Sequence, residues 1–283
     1  MKIAVLSDIH GNLPALTAVL EDILHWQPDK VVVNGDAVNR GPYSTKTLEI
    51  LQNTIPDCHY IKGNHETFVL RRAEKQIEAD DHRYDLNRFA QWTAKQLGRE
   101  WLDYINQWQD HLDITELESK GTIHITHGSR LGNRQGISLK TSDEELPARL
   151  GDHRDLFIAS HTHKAMTRYY ENTIIVNTGS VGQPLDDDER ASYGRFQWMA
   201  NQWTSEIRRV PYDKQQAQKD FIESGFIDAG GPFTHLIYLE HKHNRMFVGP
   251  FMYRYFEAMS NKEISVASAI EQFLKDLSIT EVF

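Results

Sequence analysis

Short apolar runs, each ending on a polar residue suited to ligand chemistry, punctuate the first half of the chain. Ile3-Ala4-Val5-Leu6 leads into Ser7-Asp8-Ile9-His10-Gly11-Asn12. Val31-Val32-Val33 leads into Asn34-Gly35-Asp36, and His59-Tyr60-Ile61 into Lys62-Gly63-Asn64-His65-Glu66. Continuous β-branched runs of this length suit strands buried on both faces. The segments between them read as helices. Leu13, Leu16, Leu20, Ile23 and Leu24 form a stripe behind Asn12, a candidate N-cap, with Pro14 in the first turn. Ser44 is the expected cap of a second helix carrying Thr47, Leu48 and Leu51. Alternating strand and helix means parallel β-α-β units, which put functional groups at the carboxyl ends of strands. Asp8, Asp36 and Asn64 all fall at such ends.

Residues 66 to about 110 read as helical. Leu97, Trp101, Ile105 and Trp108 recur at helical spacing, with Phe89 and Trp92 just before, and are taken as core or as a lid on the core. Strands resume with Thr122–Thr126, running into His127. Leu156–Ala159 runs into Ser160-His161-Thr162-His163, and Thr173–Val176 into Asn177. With no long helix between the last two, the spacing predicts a more antiparallel second half. Asp186-Asp187-Asp188-Glu189 reads as a solvated loop. Beyond Gly230-Gly231-Pro232, the run His235–Leu239 and the alternating aromatics near Phe251, Tyr253, Tyr255 and Phe256 read as strands. His241-Lys242-His243 reads as a solvated turn, and Ala267, Ile270, Phe273, Leu274 and Leu277 as a terminal helix.

The 283 residues carry a net charge of -9, which disfavours a broad nucleic-acid footprint but not a small phosphorylated substrate beside metal ions. The single cysteine, Cys58, excludes an internal disulfide and a thiolate metal site. The N-terminal apolar run is too short for a signal peptide, and no stretch approaches the roughly 20 apolar residues that span a bilayer. A cytoplasmic location without membrane attachment is the expectation.

The residues at the strand ends carry the chemistry. Asp8, His10, Asp36, Asn64, His65, His127, His161 and His163 combine imidazole nitrogen with carboxylate and amide oxygen, a set for borderline divalent ions rather than calcium. Each fragment alone is weak, and the order of all of them is what carries weight. In that order they resemble the calcineurin-like metallophosphoesterases: Asp8-Ile9-His10, Gly35-Asp36, Gly63-Asn64-His65-Glu66, His127 and Ser160-His161-Thr162-His163, covering residues 1 to about 195. Ser7–Leu16 and Gly179–Pro184 resemble the small bacterial phosphodiesterase branch. Gly35–Pro42 resembles instead the phosphoprotein phosphatases and diadenosine tetraphosphate hydrolases.

The resemblance implies a four-layer α/β/β/α sandwich of two mixed sheets flanked by helices. It implies two divalent ions, manganese first, with iron, zinc or nickel as alternatives. Asp8, His10, Asp36 and His163 would hold one ion, and Asp36, Asn64, His127 and His161 the other. His65 would serve the leaving group, and Arg40, Asn64 and Asn12 would contact substrate. Three departures from the family pattern stand out. Ser160 replaces a glycine and would crowd its turn. Asn39 replaces an aspartate that would pair with His65, which weakens a protein-phosphatase reading. Leu185 replaces an arginine. The expected activity is hydrolysis of phosphomonoesters or phosphodiesters of small molecules or nucleotides. Protein or diadenosine polyphosphate hydrolysis is the second reading, and a non-catalytic scaffold or a nuclease is further behind. Residues 1–210 are expected to form the catalytic domain. Residues 211–283 are expected to pack on it or cap it, with their aromatics a candidate surface for a homo-oligomer.

Overall fold

The structure, a computed structural model, describes residues 1–115 and 121–279. The chain opens with three parallel strands, β1 (Lys2–Leu6), β2 (Lys30–Asn34) and β3 (His59–Ile61), linked by α1 (Leu13–Trp26) and α2 (Ser44–Thr54). Helices α3 (Asn64–Glu74) and α4 (Tyr84–Asn106) follow. A second sheet is built from β4 (His111–Ile114), β5 (Ile123–Thr126), β6 (Leu156–Ala159), β7 (Met166–Tyr170) and β8 (Thr173–Asn177), with the short α5 (Leu146–Leu150) before β6. The chain then returns to the first sheet through the hairpin β9 (Ala191–Met199) and β10 (Gln202–Val210). Five helices follow among the described residues: α6 (Lys214–Glu223), α7 (Phe226–Gly230), α8 (Phe233–His243), α9 (Val248–Ser260) and α10 (Val266–Asp276).

The sheet orders are β10-β9-β1-β2-β3 and β4-β5-β6-β8-β7, two mixed five-stranded sheets flanked by helices. Period-2 alternation explains the layers. Ile3, Val5 and Val32 point between the sheets and meet Ile125, Ile158 and Val176. Ala4, Leu6 and Val33 point the other way, onto Leu16, Val19 and Leu20 of α1 and Leu48 and Leu51 of α2. Both faces are covered, so the strands read as unbroken apolar runs. Leu97, Ile105 and Trp108 lie in the same core as α1 and α2, as their spacing implied.

Several local expectations are corrected. The second sheet is parallel through its centre, β5-β6-β8, and only its edge strands β4 and β7 are antiparallel. Tyr43, not Ser44, precedes α2; the Ser44 hydroxyl instead accepts the Asn39 N–H at 2.9 Å and shapes the loop after β2. His235–Leu239 lies within helix α8. Phe233, Leu236, Ile237 and Glu240 share its buried face, and so short an apolar run is ambiguous by pattern alone. The aromatics near 251 lie on helix α9: Phe251, Tyr255 and Met259, four apart, turn inward, while Tyr253 and Phe256 face out. His241 is buried and stacks on Phe221 rather than sitting in a solvated turn. The acidic run is partly tied down, since Asp186 pairs with Arg209 and Asp188 with Arg190. The terminal helix forms as expected, but Leu277 lies just past its end and Ala267 faces out, with Val266 and Ala269 joining Ile270 and Phe273 on the buried face.

Helices α6 to α10 share a largely aromatic core that takes in Phe89 of α4, with Phe68 and Trp92 packed against it. No helix among the described residues is long and apolar enough to cross a membrane.

Candidate metal centre

The carboxyl ends of the strands in both sheets converge on one place. Asp8 and His10 follow β1, Asp36 follows β2, and Asn64 begins α3 after β3. His127 follows β5, and His161 and His163 follow β6. Their backbones are unusual. Asp8, His10, Asp36, His161 and His163 all have φ between 51° and 69°. Non-glycine residues hold that left-handed region only where surrounding structure enforces it, and functional sites are where such strain collects. The enforcement is visible. Asp8 N–H donates to Gly35 O and His10 N–H to Asp36 O, each at 3.0 Å, while Gly182 N–H and Ser180 Oγ hold the Asp8 carbonyl at 2.9 and 2.8 Å.

Three imidazoles are oriented from behind. Nδ1 of His10, His127 and His163 donates to the carbonyls of Asn39, Asn34 and Gln183 at 3.1, 2.8 and 2.7 Å. A carbonyl can only accept, so the remaining Nε2 of each neutral ring presents a lone pair. Those lone pairs face other acceptors. Nε2 of His10 lies 3.2 Å from Nε2 of His163, which lies 3.1 Å from Asp8 Oδ1. Nε2 of His127 lies 3.3 Å from Asp36 Oδ2 and 3.1 Å from Asn64 Oδ1. Asp8 Oδ1 is buried without a hydrogen-bond partner.

Ligand atoms gather into two groups, Asp8-His10-His163 and Asp36-His127-His161, within 4.8 Å in each. Lone pairs aimed at lone pairs in a buried site call for positive charge between them, and this donor set fits borderline divalent cations. Titration separates the rings. Burial presses His10 down to about 3 and His161 to about 4, keeping both neutral. Burial acts the same way on His127, but the Asp36 and Asp8 carboxylates outweigh it and carry that ring up to about 10, so without an ion its Nε2 holds a proton against Asp36 that a bound cation would displace.

Asn39 Nδ2 lies 2.9 Å from His65 Nδ1, so the amide donates and His65 keeps its proton on Nε2. Burial holds the His65 pKa well below the usual histidine value. The His65 backbone N–H donates to Asp36 Oδ1 at 2.8 Å. Asn12 caps α1, accepting from Ala15 N–H, and its amide donates to Gly182 O at 2.8 Å. Arg40 is committed: its Nε donates to Gln183 Oε1 at 3.0 Å and its Nη2 pairs with Glu240 of α8.

Several residues that hold the site were given no such role by sequence. Glu66 accepts N–H groups of Gly63, Asp36 and Val38 at 2.8, 2.8 and 3.2 Å and so fixes the Asp36 loop to α3. A glutamate three residues after the cap of a helix was the available signal. Asn34 bridges the sheets, donating to Thr126 O and to Ser160 Oγ. The Ser160 hydroxyl also meets Thr178 Oγ1 at 3.1 Å, so the expected crowding is replaced by a bond, and its φ is not positive. Gly63 is required, since a Cβ there would lie 2.1 Å from Asp36 Oδ1. No pattern in the sequence pointed to Glu240.

A cleft of about 640 Å³ opens over the group, lined by Asp36, Asn64, His65, His161 and His163 on one side and by Arg40, Glu240, Met246 and Val248 on another.

Residues 1–174 match the family described as Calcineurin-like phosphoesterase. The chain is 28% identical over 242 residues to an uncharacterised protein of Methanocaldococcus jannaschii, across 78% of this chain and 92% of that one. It is 28% identical over 199 residues to phosphodiesterase YfcE of Escherichia coli, across 69% of this chain and 86% of that one. A crystal structure of a metallophosphoesterase from Sphaerobacter thermophilus aligns with a TM-score of 0.66 at 24% identity, over 86% of this chain and 99% of that one, which shows a shared fold.

Proposed function

Because the chain belongs to the calcineurin-like phosphoesterase family, we propose that it hydrolyses phosphate esters of small molecules using two divalent ions, manganese first among them. The observation that carries this reading is the convergence of outward-braced imidazole lone pairs on two buried carboxylates. Asp8, His10, Asp36 and His163 would hold one ion, and Asp36, Asn64, His127 and His161 the other, with Asp36 shared. Two such ions supply a water acidic enough to ionise near neutral pH and offset charge on the phosphoryl oxygens.

The chain's own groups do the rest. Neutral His65, its Nδ1 bound to Asn39, presents Nε2–H to the leaving oxygen, donating a hydrogen bond or the proton itself. Asn64 would offer its side-chain oxygen, which lies 3.1 Å from His127 Nε2, to the second ion, and it lines the cleft on the substrate side. Arg40 contributes positive charge beside His10 and His65, and its Nη1 is left for a phosphate oxygen. Asn12 acts through the backbone that it fastens. Residues 1–210 form the catalytic unit in this reading, and residues 211–283 cap it.

The diesterase named among the relatives favours diesters as well as monoesters. The test is hydrolysis of bis-p-nitrophenyl phosphate and p-nitrophenyl phosphate by metal-stripped protein with manganese, zinc, iron(II), nickel or magnesium restored. Turnover restored by a metal bears the reading out. Protein that binds no divalent ion would sink it.

A further inference from the structure

The cleft is chemically two-sided. Its floor is the ligand cluster, but its outer walls are apolar: Leu139, Ala165, Met166, Leu185, Met246 and Val248. Leu139 and Met246 leave 71% and 46% of their surface exposed at the opening. Two of these six come from the C-terminal helical segment; of the other four, Leu139 lies between β5 and α5, Ala165 just before β7, Met166 at the start of β7 and Leu185 after β8, so the wall closes only where the two parts of the chain meet.

Apart from the Lys140 and Lys164 side chains at the mouth, the polar groups of the walls are already engaged within the protein. The Gly136 carbonyl accepts from Arg149 at 2.7 Å. Ser138 donates its N–H to Thr141 and accepts from Lys140 N–H at its hydroxyl. Thr162 Oγ1 accepts from Asn177 at 3.0 Å. Glu240, the one carboxylate on the wall, receives the amides of Phe247 and Val248, both at 2.8 Å, on one oxygen and Arg40 on the other. A sugar or base entering here would shed water from its hydroxyls and amides and find few free partners, which is unfavourable. An apolar group would lose nothing and would cover the exposed leucine and methionine. Lys140 and Lys164, exposed at the mouth and without ion pairs among the described residues, favour the approach of an anionic head.

We propose that the walls select phosphate esters whose organic group is apolar, an alkyl or aryl chain rather than a nucleoside or sugar, and that Leu139 and Met246 are specificity-determining residues. This rests on the phosphoesterase reading above and names its substrate class.

Two measurements test it on the whole, metal-loaded protein. Phosphate release is compared for n-hexyl phosphate, ethyl phosphate and thymidine 5′-monophosphate, all esters of primary alcohols. Titration calorimetry compares n-hexylphosphonate with methylphosphonate, which reads the wall without turnover. The hexyl compounds should lead by at least about tenfold in kcat/KM and in affinity, since several methylenes are buried. Leu139→Ser with Met246→Ser, both at exposed positions, should erase most of that lead while leaving the ethyl ester and methylphosphonate unchanged. Equal affinity for the two phosphonates, a preference for the thymidine ester, or a lead that survives the double variant would overturn the proposal. Release of p-nitrophenolate from simple aryl esters reports the hydrolase itself, so an active enzyme with a flat alkyl series rejects this inference alone.

Discussion

Arg40, on the loop after β2, and Glu240, on helix α8, form a buried ion pair two hundred residues apart in the chain. Arg40 is 12% exposed and Glu240 3%. Glu240 is saturated, because its other oxygen also caps the start of α9 through Phe247 and Val248. The pair therefore joins the C-terminal helices to the rim of the ligand cluster. Removing one member of such a pair leaves a buried charge alone. Glu240→Ala should destabilise the fold by about 3–5 kcal/mol, read from the urea midpoint. A double-mutant cycle with Arg40→Ala should return a coupling of at least about 1 kcal/mol; a coupling near zero would mean that the two residues act independently.

That link shows where sequence reading stops. Asp8 and Asp36 lie within two residues of the ends of β1 and β2, so strand–helix alternation put both at carboxyl ends, while His127 joined them through the order of the fragments and the family resemblance. Asn12 announced its helix in the same way, by capping chemistry. Glu240 gave no such signal, because its partner is remote and it lies on a helix whose short run His235–Leu239, apolar from Leu236 on, reads equally as a strand. On α9 the alternation Phe251-Tyr253-Tyr255 masked the spacing of four between Phe251, Tyr255 and Met259 that marks the buried face. Ser160 looked like a strained substitute for glycine until the Asn34 amide and Thr178 hydroxyl, both distant in sequence, supplied its partners. Local patterns carry backbone type and terminal groups; contacts between remote segments leave no local trace.

His65→Ala tests the division of labour in the site. His65 shares its Nδ1 with Asn39 and stands edge-on to His10 at 5.1 Å, outside both ligand groups. Its loss should lower kcat by about 10²- to 10⁴-fold, the usual worth of a proton donor. Metal content by elemental analysis should stay at the wild-type level. A fall in bound metal would move His65 into the ligand set.

Asp36→Asn tests the shared ligand. Asp36 Oδ2 lies 3.3 Å from His127 Nε2 and 3.9 Å from His10 Nε2, so it faces both groups. Removing its charge should weaken both metal positions and lower the bound stoichiometry. One ion retained with full affinity would show that Asp36 serves a single position.

His241 provides a pH test away from the ligand cluster. It is buried on α8 with its ring stacked on Phe221 at 4.9 Å, and its Nε2 has no hydrogen-bond partner. Burial, with Lys214 adding repulsion, lowers its pKa from the ordinary 6.5 to about 4. The unfolded chain therefore binds the proton between those two values and the folded chain does not. Stability must fall as pH drops from about 6.5 to about 4, and this contribution is flat outside that window. Replacing the ring by one that cannot titrate removes the term while keeping the stack. The urea midpoint of metal-free His241→Phe should accordingly fall less between pH 7 and pH 4.5 than that of the wild type, by an amount equivalent to at most about 3 kcal/mol. Parallel pH profiles for the two proteins would show that His241 titrates normally in the fold, and that the packing around Phe221 opens to water.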